Sequence, residues 1–164
     1  MNRRSAAALT LVAALIAVVV PLDRAAAGQS IVAARRAVFG AANVADDGRV
    51  RGDRVILSWF GVTNFAAAIG GHVVLLDAWV PRGEYSGYVP ASPETLAAIK
   101  PEYIFAGHSH FDHLADAAEI AVASGAKLVG TPEHCDQVRR QAGMAPVVCV
   151  EAVARGAARD RLHA

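Results

Sequence analysis

Short β-prone runs and helical segments alternate along the second half of the chain, and this alternation limits the possible folds more than any other feature. The runs at 103–106, 127–129 and 147–150 are mostly apolar, and helical patterns at 114–124 and 132–142 separate them. Strands joined by crossover helices pair in parallel, because the connection returns the chain beside the strand it left. The pattern therefore predicts an α/β fold with a parallel sheet in this half.

The first half shows a different strand pattern. The run at 55–60 is strongly β-prone, and two further apolar runs at 64–69 and 72–76 flank Gly70 and Gly71. Two glycines between apolar runs are typical of a tight hairpin turn. These strands are therefore predicted to form an antiparallel meander, which makes the complete fold a mixed one (α/β with α+β character).

Helix signals place two further elements. Ser92 and Pro93 suit the N-cap and first position of a helix that Pro101 ends. The pattern at 114–124 predicts one continuous helix. In that helix, the polar Asp116 is predicted to face solvent and Val122 to face the core.

The first 27 residues have the organisation of a secretory signal peptide. Arg3 and Arg4 precede an apolar run at 6–20 that only one threonine interrupts, and the alanines at 25–27 offer a small-residue cleavage site. Cleavage after Ala27 would leave a secreted or periplasmic protein with no stable membrane insertion. The alternative is an uncleaved anchor, although the run is short for a span of about twenty residues.

The length and charge of the chain indicate its number of domains and its class of partner. The chain has 164 residues, which suits one domain, and a net charge of +1 with scattered basic residues, which favours no nucleic-acid partner. We assign 28–54 to an N-terminal helix and loop, 55–150 to the main domain, and 151–164 to an irregular tail without a strand period.

Cys135 and Cys149 are the only cysteines. Export permits a disulfide between them. Two free, buried thiols are an equally good interpretation, because bridging depends on a Cα separation that sequence does not give.

A cluster of imidazoles and a carboxylate follows the strand at 103–106. His108, His110 and Asp112 share parity, so a locally extended backbone would point them the same way, and His113 can reach a second point nearby. Nitrogen and oxygen ligands of this kind suit two adjacent divalent metals, most often zinc. The simpler alternative is a polar loop whose histidines only solvate a turn.

These residues, with others before them, resemble the metallo-β-lactamase superfamily. The similarity covers roughly 55–150 and rests on four stretches: Trp59-Phe60-Gly61 with Asn64-Phe65, the strand ending at Asp77, Lys100-Pro101-Glu102, and the histidine cluster. The resemblance implies a partial αββα sandwich with its metal site at one sheet edge. The chain is most similar to the broad hydrolase branch of that superfamily.

The resemblance also implies a role for each residue of the cluster. His108 and His110 match ligands of a first zinc, and Asp112 and His113 match ligands of a second. Asp77 matches an aspartate that orients a ligand from behind, although it would serve equally well as a strand-end capping carboxylate. The implied chemistry is metal-assisted attack of hydroxide on an ester, lactone, amide or phosphoester in a small-molecule substrate. Asp112 would orient the nucleophile or carry a proton to the leaving group.

The chain departs from the superfamily pattern after residue 150. The superfamily completes its site with a further histidine, a bridging aspartate and a final histidine from later strands, and 151–164 contains no such half. We therefore expect a truncated domain with weak zinc occupancy, an uncovered apolar face and possible self-association. Among the other histidines, His134 is predicted to be a surface residue near a helix start, His72 to be exposed, and His163 to lie in the tail.

Three functional hypotheses follow. The first is an exported metal-dependent hydrolase. The second is a catalytically incompetent fragment, and the third is a protein that binds metal weakly without turnover. The metal itself stays open, since iron and manganese also accept histidine and carboxylate ligands.

Overall fold

One six-stranded sheet, with its strands side by side in chain order, organises the molecule. The computed structural model describes residues 28, 30–83 and 91–152, so the predicted signal peptide and nearly all of the predicted tail lie outside the described residues. The strands are β1 (Ile56–Trp59), β2 (Phe65–Ile69), β3 (His72–Leu76), β4 (Tyr103–Phe105), β5 (Lys127–Gly130) and β6 (Cys149–Glu151).

The sheet is mixed, as the sequence predicts. Strands β1, β2 and β3 pair antiparallel, and β3, β4, β5 and β6 pair in parallel. Gly70 and Gly71 join β2 to β3 with φ values of 58° and 89°, and Ile69 lies opposite His72. Two consecutive positive φ values define the tight hairpin turn for which this glycine pair was the signal.

Helices connect the parallel strands and form the other main elements. They are α1 (residues 30–39), a 3-10 turn (Ala41–Asn43), α2 (Pro93–Ala98), α3 (Phe111–Leu114), α4 (Ala117–Ser124) and α5 (Pro132–Ala142). Ser92 caps α2, where its side chain accepts a hydrogen bond from the Thr95 N–H. None of the helices among the described residues has the length and apolarity needed to cross a membrane.

One segment differs from its prediction. The expected single helix at 114–124 is two helices, because the chain bends between α3 and α4 and Asp116 becomes the N-cap of α4. The bend turns Asp116 into the protein, where it is 2% exposed, and leaves Val122 45% exposed. Both predicted orientations were therefore wrong, since the helical period restarts at the bend.

The N-terminal helix is anchored to the same body. The Arg35 guanidinium donates from Nε to the Ile99 carbonyl at 2.9 Å and from Nη1 to the Gly48 carbonyl at 2.9 Å. Its contacts join α1 to the end of α2 and to the loop that follows α1. Burial of the guanidinium lowers the pKa of Arg35.

The core lies on one face of the sheet. Side chains that alternate along the strands point towards the helices and are at most 1% exposed, namely Ala66, Ala68, Val73, Leu75, Ile104 and Leu128. This period of two is what a sheet covered on one face by helices requires.

A disulfide joins Cys135 in α5 to Cys149 in β6, with a Cα–Cα distance of 5.8 Å. Of the two interpretations that the sequence left open, the structure has the bridged one. The bond fastens the last described helix to the edge strand of the sheet.

Removing this bridge is expected to destabilise the protein. A double Cys135→Ser and Cys149→Ser variant should lose about 3 kcal/mol of unfolding free energy, the value typical of a closed loop of this length. Urea denaturation with and without dithiothreitol measures the loss. The reductant should lower the stability of the wild type and leave the variant unchanged; equal stability of both proteins under oxidising conditions would contradict the prediction.

The other face of the sheet carries a continuous line of apolar side chains. One residue from each strand lies opposite the next across the whole sheet, a line that we call the apolar row: Trp59, Phe65, Leu76, Phe105, Val129 and Val150. Leu76, Phe105 and Val150 are 39%, 41% and 43% exposed. Exposed apolar surface of this extent favours association or ligand binding.

The apolar row should bind a hydrophobic dye and promote self-association, which remains a prediction. A Leu76→Thr and Phe105→Thr double variant should bind less anilinonaphthalene sulfonate and elute later in concentration-dependent size exclusion. Val122→Thr is a matched control, because Val122 is equally exposed on a helix. A wild type that elutes as a monomer at every concentration would contradict the self-association.

Candidate metal centre

The histidine cluster occupies the connection from β4 to α3. His110 is the N-cap of α3 with an extended backbone (φ −68°, ψ 163°), and Asp112 and His113 lie within the helix. The predicted shared parity therefore extends only from His108 to His110, because the chain becomes helical at Phe111. Asp112 therefore lies on a helical turn and not on a strand.

The three imidazole rings are close neighbours. The ring centroids of His108 and His110 are 4.1 Å apart, and those of His108 and His113 are 5.1 Å apart. The Asp112 Oδ2 atom lies 3.7 Å from the His113 Nε2 atom. The cluster therefore brings all four predicted ligands together in space.

The fit to a metal is good in donor chemistry and incomplete in atomic placement. Three imidazoles and one carboxylate are a donor set that zinc accepts. However, among the described residues no group of three or more His, Cys, Asp or Glu side chains has its donor atoms arranged to hold an ion. His108 and His110 are exposed, and exposed side chains change rotamer rapidly, so their ring nitrogens are free to reorient towards an ion.

Asp77 supports this cluster from behind. It is 7% exposed, and its Oδ2 atom lies 2.8 Å from the His113 Nδ1 atom. Its Oδ1 atom accepts a hydrogen bond from the Gly107 N–H at 2.7 Å. The sequence left open whether Asp77 caps the strand end or orients a histidine. In the structure, Asp77 makes both contacts.

The contact with Asp77 fixes the tautomer of His113. An ionised carboxylate only accepts hydrogen bonds, so the His113 Nδ1 atom carries the proton and donates it to Asp77. When the ring is neutral, the Nε2 atom keeps its lone pair, on the side where Asp112 lies. Metal-binding histidines are commonly oriented by a carboxylate in this way.

Gly107 lets the backbone before the cluster pass close to Asp77. A Cβ atom at position 107 would lie 3.2 Å from the Asp77 Oδ1 atom, closer than most real contacts of a Cβ atom. A side chain here would push the carboxylate away from the Gly107 N–H. The glycine therefore favours this close approach.

Asn64 belongs to a stretch that carried the family resemblance, but no role was predicted for it. It is 1% exposed, and its Nδ2 atom donates to the carbonyls of Gly61 and Asp112, both at 3.0 Å. Its Oδ1 atom accepts from the Trp79 N–H at 2.8 Å. One buried amide therefore joins the β1–β2 turn, the chain after β3 and helix α3. Its signals in the sequence were its place in that stretch and its position as a polar residue at the start of an apolar run.

Asp116 is a second missed residue, and it fixes the chain that leaves β3. Its Oδ2 atom accepts from the Val80 N–H at 2.8 Å, and its carboxylate pairs with the Arg82 guanidinium at 2.6 Å. The hydrogen bond to Asp116 raises the pKa of Arg82. The backbone adds to this link, since Ala78 donates to the His113 carbonyl and accepts from the Asp116 N–H.

The loop between β3 and α2 is packed on the body at its beginning. Trp79 is 6% exposed and meets Phe111 of α3 edge-to-face, with ring centroids 5.9 Å apart. Residues 84–90, with both tyrosines of this loop, lie outside the described residues. The beginning of the loop thus supports the helix that carries Asp112 and His113.

The remaining histidines have other roles. His134 is buried and not on the surface as predicted, because the α5 cap uses its Nδ1 atom as acceptor for the Thr131 N–H at 3.3 Å. His72 is exposed as predicted and pairs with Glu102 at 2.9 Å. His163 lies outside the described residues.

A cleft of about 330 Å³ adjoins the cluster at the carboxyl ends of the parallel strands. Asp77 and Gly107 belong to its wall, together with Leu76, Phe105, Ala106, Val129, Gly130, Thr131 and Ala152. Ligands commonly bind at this edge of a parallel sheet.

Comparisons with known proteins find similarity over part of the chain. The chain is 42% identical over 77 residues to a UPF0173 metal-dependent hydrolase of Pyrobaculum calidifontis, covering 47% of this chain and 32% of the relative. It is 36% identical over 80 residues to a similarly named protein of Anaeromyxobacter dehalogenans, covering 46% of this chain and 27% of the relative. No family model matches the chain.

A solved structure gives the same result. The chain is similar to Igni18, a metallo hydrolase from Ignicoccus hospitalis, with a TM-score of 0.50 and 25% identity, over 62% of this chain and 41% of that one. The mixed α/β sheet with its helices is thus similar to a metallo-hydrolase fold of the metallo-β-lactamase type. The chain spans about a third of the length of the curated relatives it matches.

Proposed function

We propose that this chain is the metal-binding part of an exported metal-dependent hydrolase, with His108, His110, Asp112 and His113 as the metal ligands. One observation carries the proposal: a buried carboxylate, Asp77, orients His113 within a cluster of three imidazoles and a carboxylate. The names of the similar proteins, all metal-dependent hydrolases, support the same reaction class.

When bound, a divalent metal, for which zinc is our proposal, supplies a water of lowered pKa and an electrophile for the substrate oxygen. The residues supply orientation and proton transfer. Asp77 keeps the proton of His113 on Nδ1, so that Nε2 faces the site with a free lone pair. Asp112 is partly exposed, and its Oδ2 atom lies 3.7 Å from the His113 Nε2 atom, so its carboxylate can receive a proton and pass it to a leaving group. The substrate would be a small ester, lactone, amide or phosphoester.

Export is the second part of the proposal. The pattern at 1–27 supports it, and so does the disulfide between Cys135 and Cys149. Disulfides persist in oxidising compartments and are rare in the cytosol. Mass spectrometry of the mature protein should give an N-terminus at Gly28; an N-terminus at Met1 would contradict cleavage.

Weak metal binding without turnover is the second candidate. It is favoured by the absence of a preformed cage among the described residues. Two histidines hold zinc less tightly than three protein ligands, because water must fill the remaining positions.

Zinc stoichiometry and turnover separate these candidates. The purified chain would be loaded with zinc, dialysed and analysed by elemental analysis, then assayed with a phenyl ester, a lactone, nitrocefin and a phosphodiester. Two zinc ions per chain with turnover would support the hydrolase. Reversible zinc uptake without turnover would support the second candidate, and no zinc uptake would overturn both. A His108→Ala and His110→Ala variant is the control for adventitious binding.

A further inference from the structure

The β1–β2 turn places a threonine hydroxyl at the contact between Asp77 and His113. The Thr63 Oγ1 atom lies 2.7 Å from the Asp77 Oδ2 atom and 3.0 Å from the His113 Nδ1 atom. A hydroxyl has one proton to donate, and the carboxylate is its natural acceptor. Asp77 Oδ2 therefore accepts from two donors, Thr63 and His113, and the three groups form a closed triangle.

The turn that carries Thr63 is held in place on both sides. The Asn64 N–H donates to the Gly61 carbonyl, and the Phe60 N–H donates to the Asn64 carbonyl, both at 2.8 Å. Gly61 has φ 107° and packs so closely on Pro81 that an added Cβ atom would collide with it. The buried Asn64 amide also binds the Asp112 carbonyl. The position of Thr63 is thus fixed relative to the helix that carries His113.

We propose that Thr63 is a positioning residue, which keeps the Asp77 carboxylate and the His113 ring in the orientation needed for metal binding. The hydroxyl limits rotation of the carboxylate about its Cβ–Cγ bond, because rotation would break the hydrogen bond with Thr63 as well as those with His113 and Gly107. When Oδ2 is fixed, the proton on His113 Nδ1 can point only to that oxygen. The imidazole ring is then held with its Nε2 atom towards the cluster. The role in metal binding rests on the proposed function, but the three hydrogen-bonded groups form their triangle without metal.

The test compares Thr63→Val, which keeps the shape and removes the hydroxyl, with Thr63→Ser, which keeps the hydroxyl. Thr95→Val is the matched control, since Thr95 loses a hydroxyl hydrogen bond in the α2 cap. The first readout is nitrogen–proton correlation NMR of the metal-free proteins at alkaline pH, where imidazoles are neutral. The second is zinc affinity measured by competition with a chelating dye.

We expect His113 of the wild type, Thr63→Ser and Thr95→Val to show one tautomer with the proton on Nδ1. In Thr63→Val the Asp77 carboxylate is free to rotate away from His113, and the contact that fixes the tautomer is lost in part of the molecules. This variant should therefore show a mixture of tautomers and about tenfold weaker zinc binding, at the lower end of the effect of losing such a supporting partner. A single Nδ1–H tautomer in Thr63→Val would overturn the inference.

The NMR readout separates this inference from the proposed function. If the wild type takes up no zinc, the metal site is wrong, yet the tautomer of His113 in Thr63→Val still decides the role of Thr63. If all variants bind zinc equally while the tautomer changes, Thr63 orients His113 without affecting the metal, and the positioning role for metal binding is overturned.

Discussion

Replacing Asp112 by alanine is expected to abolish turnover by the zinc-loaded protein while leaving the fold intact. Under the proposed function, Asp112 is both a metal ligand and the group that transfers a proton, and loss of proton transfer alone lowers rates by about 10²–10⁴-fold. The fold should persist because Asn64 binds the carbonyl of Asp112 and not its side chain. The measurements are kcat/KM on the best substrate found and the midpoint of urea denaturation.

Asp136→Ala is the matched control for this variant. Asp136 is an exposed carboxylate in α5 that pairs with Arg139 and lies outside the cluster. It should keep wild-type turnover and zinc content. Turnover by Asp112→Ala equal to that of Asp136→Ala would remove the role assigned to Asp112.

Replacing Asp77 by asparagine is expected to weaken zinc binding by about 10–100-fold, the usual effect of losing a partner that orients a ligand. Asparagine tolerates the left-handed backbone at this position, where φ is 58°, so the turn should survive. Its Oδ1 atom can replace one carboxylate oxygen, as acceptor for Gly107. The amide nitrogen then faces the His113 Nδ1 atom and forces the proton to Nε2, where it blocks metal binding.

Asp116→Asn separates this specific effect from general destabilisation. Asp116 is also a buried carboxylate that accepts a hydrogen bond from a backbone N–H, that of Val80. It pairs with Arg82 and not with a histidine of the cluster. Chemical denaturation should show a loss of stability in both variants, whereas isothermal titration with zinc should show weakened binding only in Asp77→Asn. Equal loss of zinc binding in both would mean that Asp77 acts only through the fold.

The strands and the first candidate ligands could be predicted because their signals are local. Apolar, β-prone runs predicted each strand of the described residues to within two residues, and the glycine pair at 70 and 71 predicted the hairpin. The cluster from His108 to His113 is likewise a contiguous pattern. That its four ligands bind metal stays a prediction, since the structure shows only that they are neighbours.

The supporting residues could not be predicted because they act across distant parts of the chain. Thr63 contacts His113 fifty positions away, and Asn64 contacts the Asp112 carbonyl forty-eight positions away. No local pattern marks Thr63, and the resemblance that included Asn64 implied no role for it. Asp116 was misplaced for a related reason, since its partners in the chain after β3 determine its burial more than the helical period does.

The order of the strands in the sheet has a consequence for how the chain reaches its native state. Each strand lies beside the one synthesised just before it, and the longest interval between paired residues of neighbouring strands is from Val74 to Tyr103. Pairing between strands that are neighbours in the sequence keeps the closed loops short, which limits the entropy cost of each closure. The sheet can therefore grow from the N-terminal hairpin as the polypeptide emerges from a ribosome or a translocation pore. Each new strand can then pair with the edge strand that is already in place.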